Sequence, residues 1–133
     1  MNGQDFTRIA GQAFAPFLRE LGFIEQPTQI SGRAYHANFV GKGHTLSVSF
    51  EPGDDYFSIM LLTNGADDLA SIDDRAKTPR LSDLNARYAA LISHSEREAN
   101  EKYFAGVIAN HPFERQLLKF AKELRLVLPK HLT

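Results

Sequence analysis

Apolar and polar side chains alternate through three consecutive stretches between residues 34 and 62. Each stretch places three apolar side chains two residues apart; the nine positions are Tyr35, Ala37, Phe39, Leu46, Val48, Phe50, Phe57, Ile59 and Leu61. If the chain turns through two residues at Lys42-Gly43 and through four over 52–55, one register puts all nine on the same face. A slip of one residue in either strand pair would divide them between two faces. The pattern therefore predicts an antiparallel three-stranded meander with one buried and one open face.

The segment before the meander has helical periodicity. Its apolar residues follow helical spacing between residues 4 and 21, at Phe6, Ile9, Ala10, Ala13, Phe17 and Leu21. Gly22 suits the residue after the end of a helix, and Pro16 predicts either a kink or the start of a second short helix. Residues 24–32 are expected to form a loop that leads into the sheet.

The C-terminal part is expected to begin with two helices. Ser82 is a candidate N-cap for the first, and Ser95 with Glu98 has capping-box spacing for the second. A single bent helix through Ser93-His94 is the alternative. The apolar residues expected on their buried faces are Leu84, Tyr88, Leu91, Ile92, Tyr103, Phe104, Val107 and Ile108.

The last helix is predicted to start at Pro112, with Asn110 or His111 before it, and to stop at Pro129. One stripe of this helix is apolar and comprises Phe113, Leu117, Phe120, Ala121, Leu124 and Leu128. Packing the first and last helices on the apolar sheet face predicts an α+β fold of two layers. Its expected order is an N-terminal helix, the three-stranded antiparallel meander, and two or three C-terminal helices, in a single domain over residues 1–133.

Composition narrows the class of protein. The 133 residues contain no cysteine, so disulfides and thiolate metal sites are excluded. No window approaches the roughly 18 apolar residues of a membrane span. The first eight residues lack the basic segment and following apolar stretch of a secretory signal. A cytoplasmic protein is therefore expected.

Charge is distributed unevenly although the net charge is only −1. Residues 1–74 carry four basic and ten acidic side chains, whereas the remainder carries eleven basic and six acidic ones. Between residues 51 and 74 there are acids but no lysine or arginine; they are Glu51, Asp54, Asp55, Asp67, Asp68, Asp73 and Asp74. Such an imbalance is typical either of a binding face or of acids concentrated in turns.

One patch on the open sheet face holds the residue types of nucleophilic catalysis. The predicted register places His36 opposite Ser49, with Glu51 diagonally nearby. A serine nucleophile needs a sharp turn or helix start that exposes its hydroxyl beside backbone amides, and a serine in mid-strand has neither. The pattern therefore favours a solvated face of small polar residues over a hydrolase.

Other chemical motifs are incomplete. Residues 41–45 resemble a phosphate-binding loop only superficially, because the first glycine is missing and the context is a hairpin. The paired acids do not match a calcium loop, and the five histidines lie on separate elements or turns. Basic residues on the C-terminal helices have no interleaved aromatics for stacking on bases. We expect no metal, no cofactor and no nucleic-acid partner.

The third strand of the meander is apolar on both faces, because Tyr56, Met60 and Leu62 lie opposite the core positions. As an edge strand it requires a cover. There are three candidates for this cover: residues 64–80 of the same chain, which are expected to be irregular; a second copy of the chain; or a different protein.

These observations favour a non-catalytic protein-binding module, within which we favour an inhibitor or immunity-type protein whose acids complement a basic target. The expected contact residues are Tyr56, Met60, Leu62, Asp67, Asp68, Asp73 and Asp74. The alternatives are a secretion-type chaperone, a structural homodimer joined through the strand of Tyr56, and a small hydrolase. The expected partner is another protein or a second copy of the chain, without a membrane.

Overall fold

The computed structural model describes residues 1–31, 33–63 and 78–133. Its helices are α1 (Gly3–Ala13), α2 (Ala15–Glu20), α3 (Leu81–Tyr88), α4 (His94–Tyr103) and α5 (Pro112–Leu132), with a 3₁₀ turn (Ala89–Leu91) after α3. Its strands are β1 (Ile24–Glu25), β2 (Gln29–Ser31), β3 (Ala34–Gly41), β4 (His44–Glu51) and β5 (Tyr56–Thr63). The predicted α+β order of an N-terminal helix, an antiparallel sheet and C-terminal helices is confirmed.

The predicted register of the meander is confirmed in every strand pair. Phe50 lies opposite Tyr35 on β3 and opposite Phe57 on β5. The two-residue hairpin loop has positive φ at both positions, 56° at Lys42 and 75° at Gly43, as the twist of the flanking strands requires. All nine predicted apolar side chains therefore share one face.

The loop predicted over residues 24–32 is wrong, because this segment contains β1 and β2. Both pair antiparallel with the outer edge of β3, with Ile24 opposite Val40. Between them the Gln26 N–H donates to the Asn38 carbonyl at 2.8 Å. Strands of two and three residues are too short to show periodicity in the sequence. They form because the outer edge of β3 offers backbone groups with which they pair. The sheet order is β1-β3-β4-β5 with β2 also on β3, which leaves β5 outermost.

The N-terminal helical segment is divided as Pro16 predicts. Lacking an amide hydrogen, Pro16 is tolerated in the first turn of α2, and the two helices meet at Phe14. At the end of α2, Gly22 has φ 95° and its N–H donates to the Arg19 carbonyl at 3.0 Å. This is the left-handed closing residue of a Schellman motif, a conformation that favours glycine.

The start of α3 is displaced from the predicted N-cap. Arg80 rather than Ser82 precedes the helix, and the Arg80 N–H donates to the Asp83 carboxylate at 2.9 Å. Ser82 is the second helical residue and is exposed. Leu81 is buried in the core, so the helix must begin early enough to present it.

The start of α4 is also displaced, by two residues. Ser93 and Glu96 form the capping box, with the Glu96 N–H donating to Ser93 Oγ at 3.1 Å. The predicted pair, Ser95 with Glu98, has the same spacing. Ile92 is buried immediately before the cap, and this packing selects the earlier pair.

Helix ends differ from expectation in three places. Leu91 and Ile108, both expected on buried helix faces, are exposed. The chain leaves α3 for a 3₁₀ turn before Leu91, and α4 ends before Ile108. Pro129 does not stop α5, which continues to Leu132 although proline costs one backbone hydrogen bond. Burial of Val127 and Leu128 beside Pro129 holds this last turn in place.

The start of α5 confirms the sequence prediction, with His111 as the N-cap before Pro112. Next to it Glu114 is only 4% exposed. One Glu114 oxygen accepts from the Asn110 N–H at 2.9 Å, and the other lies 2.7 Å from the Arg8 guanidinium. Burial acts to raise the pKa of the Glu114 carboxyl, but the hydrogen bonds from Asn110, Arg8 and the His111 N–H outweigh it and leave that pKa lowered. This ion pair ties α1 to the start of α5.

Replacing Glu114 by Gln should lower the free energy of unfolding by about 1–3 kcal/mol, because it removes the charge that the buried hydrogen bonds and Arg8 stabilise. Glu98→Gln is the control, since the ion pair that Glu98 forms with His94 is exposed and its loss should change stability by less than about 0.5 kcal/mol. Urea unfolding of the three proteins at neutral pH makes the comparison. Equal effects of the two substitutions would contradict a stabilising role for the buried pair.

Candidate functional site

Among residues 1–31, 33–63 and 78–133, the outer edge of β5 has pairing partners over only part of its length. At its C-terminal half the Leu61 N–H donates to the Pro79 carbonyl at 3.0 Å, and Met60 forms a single antiparallel bridge with Arg80. Because successive backbone amides of a strand point to opposite sides, those of Phe57 and Ile59 point outward as that of Leu61 does. No residue among those the structure describes accepts a hydrogen bond from these two amides.

A cleft of about 470 Å³ adjoins this unpaired half of β5. It lies between the strand, the start of α3 and the middle of α5, and it is lined by Tyr56, Phe57, Ser58, Ile59, Arg80, Leu81, Ser82, Asn85, Phe120 and Glu123. Its aromatic floor consists of the half-buried rings of Phe57 and Phe120, which meet edge to face at 5.8 Å. We call residues 56–59 and this cleft together the β5 edge site.

The polar side chains of the β5 edge site form structural contacts. Asn85 Nδ2 donates to the Glu123 carboxylate at 3.2 Å, which joins α3 to α5 across the cleft. Arg80 donates through its guanidinium to the Thr78 carbonyl at 2.9 Å. These contacts hold the walls of the cleft in place and do not bring a nucleophile to a general base.

The residues considered for hydrolysis lie in the predicted cross-strand positions but form no catalytic arrangement. His36 is directly opposite Ser49. The Ser49 hydroxyl donates instead to the Ser58 carbonyl at 3.3 Å, and no hydrogen bond between His36 and Ser49 occurs in the described part of the chain. Glu51 is exposed at the end of β4, opposite Tyr56. The arrangement is that of a solvated polar strand.

The residues predicted to bind a partner are divided by the structure. Tyr56, Met60 and Leu62 lie on the sheet face opposite the core; Tyr56 is 59% exposed and also lines the cleft, whereas Met60 and Leu62 are half-buried and do not line it. Leu62 ends a row across that face which continues through Thr45 and Val40 to Ile24. Ile24 is 70% exposed, and sequence reasoning missed it because its segment was predicted to be a loop. The remaining four predicted contacts, Asp67, Asp68, Asp73 and Asp74, lie outside the described residues.

Within residues 1–31, 33–63 and 78–133, no group of three or more histidine, aspartate or glutamate side chains is arranged to hold a metal ion. None of the helices described is both long and apolar enough to cross a membrane. Comparison of the chain with protein-family models, with curated proteins and with solved structures finds no match. We therefore infer the function from the geometry of the β5 edge site.

A second polar cluster, which sequence reasoning missed, joins the end of α5 to α3 and the start of β4. His131 Nδ1 lies 2.9 Å from the Tyr88 hydroxyl, and the two rings meet edge to face. Burial lowers the pKa of His131, and electrostatic repulsion from nearby Arg87 and His44 lowers it further. His44 Nδ1 is itself buried without a hydrogen-bond partner among the described residues. No spacing along the chain signals this cluster, because its members are brought together only by packing.

The outward direction of two β5 amides can be measured by hydrogen exchange. Amides of Ser58 and Met60 point toward β4, so they should exchange slower than those of Phe57 and Ile59 by about tenfold or more. NMR-detected exchange at neutral pH resolves all four positions in one experiment. Uniform protection along residues 57–60 would contradict an open edge.

The His131 cluster predicts how stability depends on pH. Because the folded-state pKa of His131 lies below the unfolded value of 6.5, the unfolded state binds protons more readily. The contribution to stability is therefore present above pH 6.5 and is lost as the pH falls below it. The free energy of unfolding, measured with urea, should differ less between pH 8 and pH 5.5 for His131→Phe than for wild type. His94→Gln, at an exposed site, is the control, and a loss of pH dependence as large as that of His131→Phe would contradict the role of the His131 cluster.

Proposed function

We propose that this protein is a non-catalytic protein-binding module of the cytosol that engages its partner at the β5 edge site. The observation that supports the proposal is the pair of outward amides at Phe57 and Ile59, beside a cleft with an aromatic floor. Unpaired strand amides are a template for pairing with another chain. Aromatic residues in a concave site are typical of the anchors that dominate protein interfaces.

The charges around the site favour a basic partner. Glu51, Asp54 and Asp55 are exposed at the end of the edge beside Tyr56; within the cleft, Glu123 is balanced by Arg80, whose guanidinium donates to the Thr78 carbonyl. Complementary charges increase the rate and selectivity of association more than they increase affinity. Within the class we therefore favour an inhibitor or immunity-type protein that neutralises a basic target. A secretion-type chaperone that holds its client at the same edge is the alternative.

A catalytic role is less well supported. The Ser49 hydroxyl is engaged by the Ser58 carbonyl, and Ser49 lies in the middle of a strand rather than at a turn or helix start. A serine in the middle of a strand lacks the nearby backbone amides that stabilise an oxyanion. We therefore keep the hydrolase only as the alternative to be excluded by activity assays of His36→Ala.

Partner binding can be tested with a pair of matched substitutions. Ser82 and Ser95 are both exposed and each is the second residue of its helix, α3 and α4 respectively, but only Ser82 lines the cleft. Ser82→Glu places a longer, ionised side chain beside the aromatic floor, where it would occlude the cleft and set a charge against apolar groups of the partner, whereas Ser95→Glu makes the same change elsewhere. We expect Ser82→Glu to weaken binding at least about tenfold and Ser95→Glu to leave affinity unchanged.

The measurement begins with a tagged wild-type protein that captures its partner from native cytosol. The partner is identified, purified, and titrated calorimetrically against all three proteins at low and high salt. Binding should weaken as salt rises, because screening reduces the attraction between the acidic rim and a basic partner. Circular dichroism and thermal unfolding verify that both variants fold. A folded Ser82→Glu protein with wild-type affinity would exclude the cleft as the contact.

A further inference from the structure

We propose that the partner contributes an extended segment that adds to the sheet as an antiparallel strand beside residues 56–59. The proposal rests on the proposed function, since it names what the β5 edge site holds. It follows from the hydrogen-bonding groups that the edge presents. The N–H and carbonyl of Phe57 and the N–H of Ile59 point away from β4, so a strand placed alongside satisfies them directly.

The protein's own chain shows that this edge accepts a strand. Pro79 and Arg80 lie beside Leu61 and Met60, and their bridge with β5 is antiparallel. The chain then enters α3 at Leu81 and cannot continue along β5. A separate segment placed next to this bridge would extend the same ladder toward Tyr56. All other ladders between described strands are antiparallel, which favours the same direction for the added strand.

The geometry of the added strand determines which of its side chains enter the cleft. A residue directly opposite Phe57 would project to the same side as the Phe57 ring, toward α3 and α5. There it would contact the rings of Phe57 and Phe120, so an aliphatic or aromatic side chain is favoured. Its two neighbours would project to the other sheet face, beside Tyr56 and Ser58. The site therefore favours a segment with one apolar residue opposite Phe57. It places little restriction on the side chains of the residues before and after that one.

A second copy of this chain fits the edge less well than an extended segment of a different protein. The part of the edge without a partner among the described residues spans four positions, and it ends at a tight turn where Asp55 has φ 50°. Pairing β5 with β5 of a copy about Ser58 would place the copy's Asp55 opposite Leu61, where Pro79 accepts the Leu61 amide. Pairing about Phe57 would place the copy's Asp54 opposite Met60, where Arg80 already forms a bridge. We therefore assign the edge to another protein.

The acidic residues at the Tyr56 end of the edge favour a segment that carries a basic residue there. An antiparallel strand would run from Ile59 toward Tyr56, so its C-terminal part would reach the exposed carboxylates of Glu51, Asp54 and Asp55. Lysine or arginine at that end would be attracted to them. The expected segment thus has an apolar residue in its middle and a basic residue two to four positions later.

The test uses a displayed library of random dodecapeptides as the probe. Peptides are selected on the wild-type protein and retained only if Ser82→Glu weakens their binding while Ser95→Glu does not. Synthetic versions of a selected peptide then carry a single N-methyl group at each position in turn. In an added strand only every second amide faces β5, so affinity should fall at least about tenfold at alternate positions and remain within about twofold between them. Binding should also slow hydrogen exchange at Phe57 and Ile59.

Two results would overturn strand addition. One is a library that yields no peptide sensitive to Ser82→Glu, and the other is a methylation scan without alternation or without protection of Phe57 and Ile59. Either result would leave the binding module itself standing if the purified partner still distinguishes Ser82→Glu from Ser95→Glu. A partner that fails to distinguish them removes the proposed function together with this inference.

Discussion

Five aromatic rings pack in series across the core, and the two-layer fold depends on their contacts. Phe6 of α1 meets Tyr35 of β3 at 5.6 Å, and Tyr35 meets Phe50 of β4 at 6.1 Å. Phe50 in turn meets Phe57 of β5 at 4.6 Å, and Phe57 meets Phe120 of α5 at 5.8 Å. Aromatic pairs at these separations contribute about 0.5–1.5 kcal/mol each beyond their buried area. The series joins both helices to all three strands of the meander, and it exists in only one register.

Phe57, the last strand residue in this series of rings, is also part of the β5 edge site. The Phe57 ring is held by Phe50 and Phe120, while its backbone amide points away from the sheet. A rigidly held ring next to backbone groups without a partner among the described residues would give the proposed partner strand a fixed position at which to pair. The same packing that specifies the register therefore orients the open edge, which links the core to the proposed function.

The remaining helices are positioned by a few polar contacts away from the cleft. Asn100 is buried in α4 and donates to the Lys122 carbonyl at 2.9 Å, while its own carbonyl accepts from Arg125 at the same distance. The Arg125 guanidinium also stacks 3.9 Å above the Tyr103 ring. Buried polar groups that find partners in only one arrangement contribute to a unique packing of helices. These contacts fix the position of α5 against α4, and α5 contributes Phe120 and Glu123 to one wall of the cleft.

The sequence alone determined the meander, its register and the apolar stripes of the first and last helices. Those features are periodic over eight or more residues, and a shift of a single residue would expose the whole apolar face. The strand of Tyr56 was also predicted to lie at an edge of the sheet, and β5 is the last strand in the described order. Local pattern was sufficient for these points because each depends on residues close in sequence.

Tertiary structure decided what depends on residues far apart in sequence. β1 and β2 are too short to show a period and exist because β3 offers an unpaired edge. Two serine–glutamate pairs had capping-box spacing before α4, and the burial of Ile92 selected one of them. The cleft was not predictable either, since it requires α3 and α5 to meet β5. Only the packed chain shows that Pro79 and Arg80 pair with one half of this edge, and that no described residue accepts a hydrogen bond from the amides of Phe57 and Ile59.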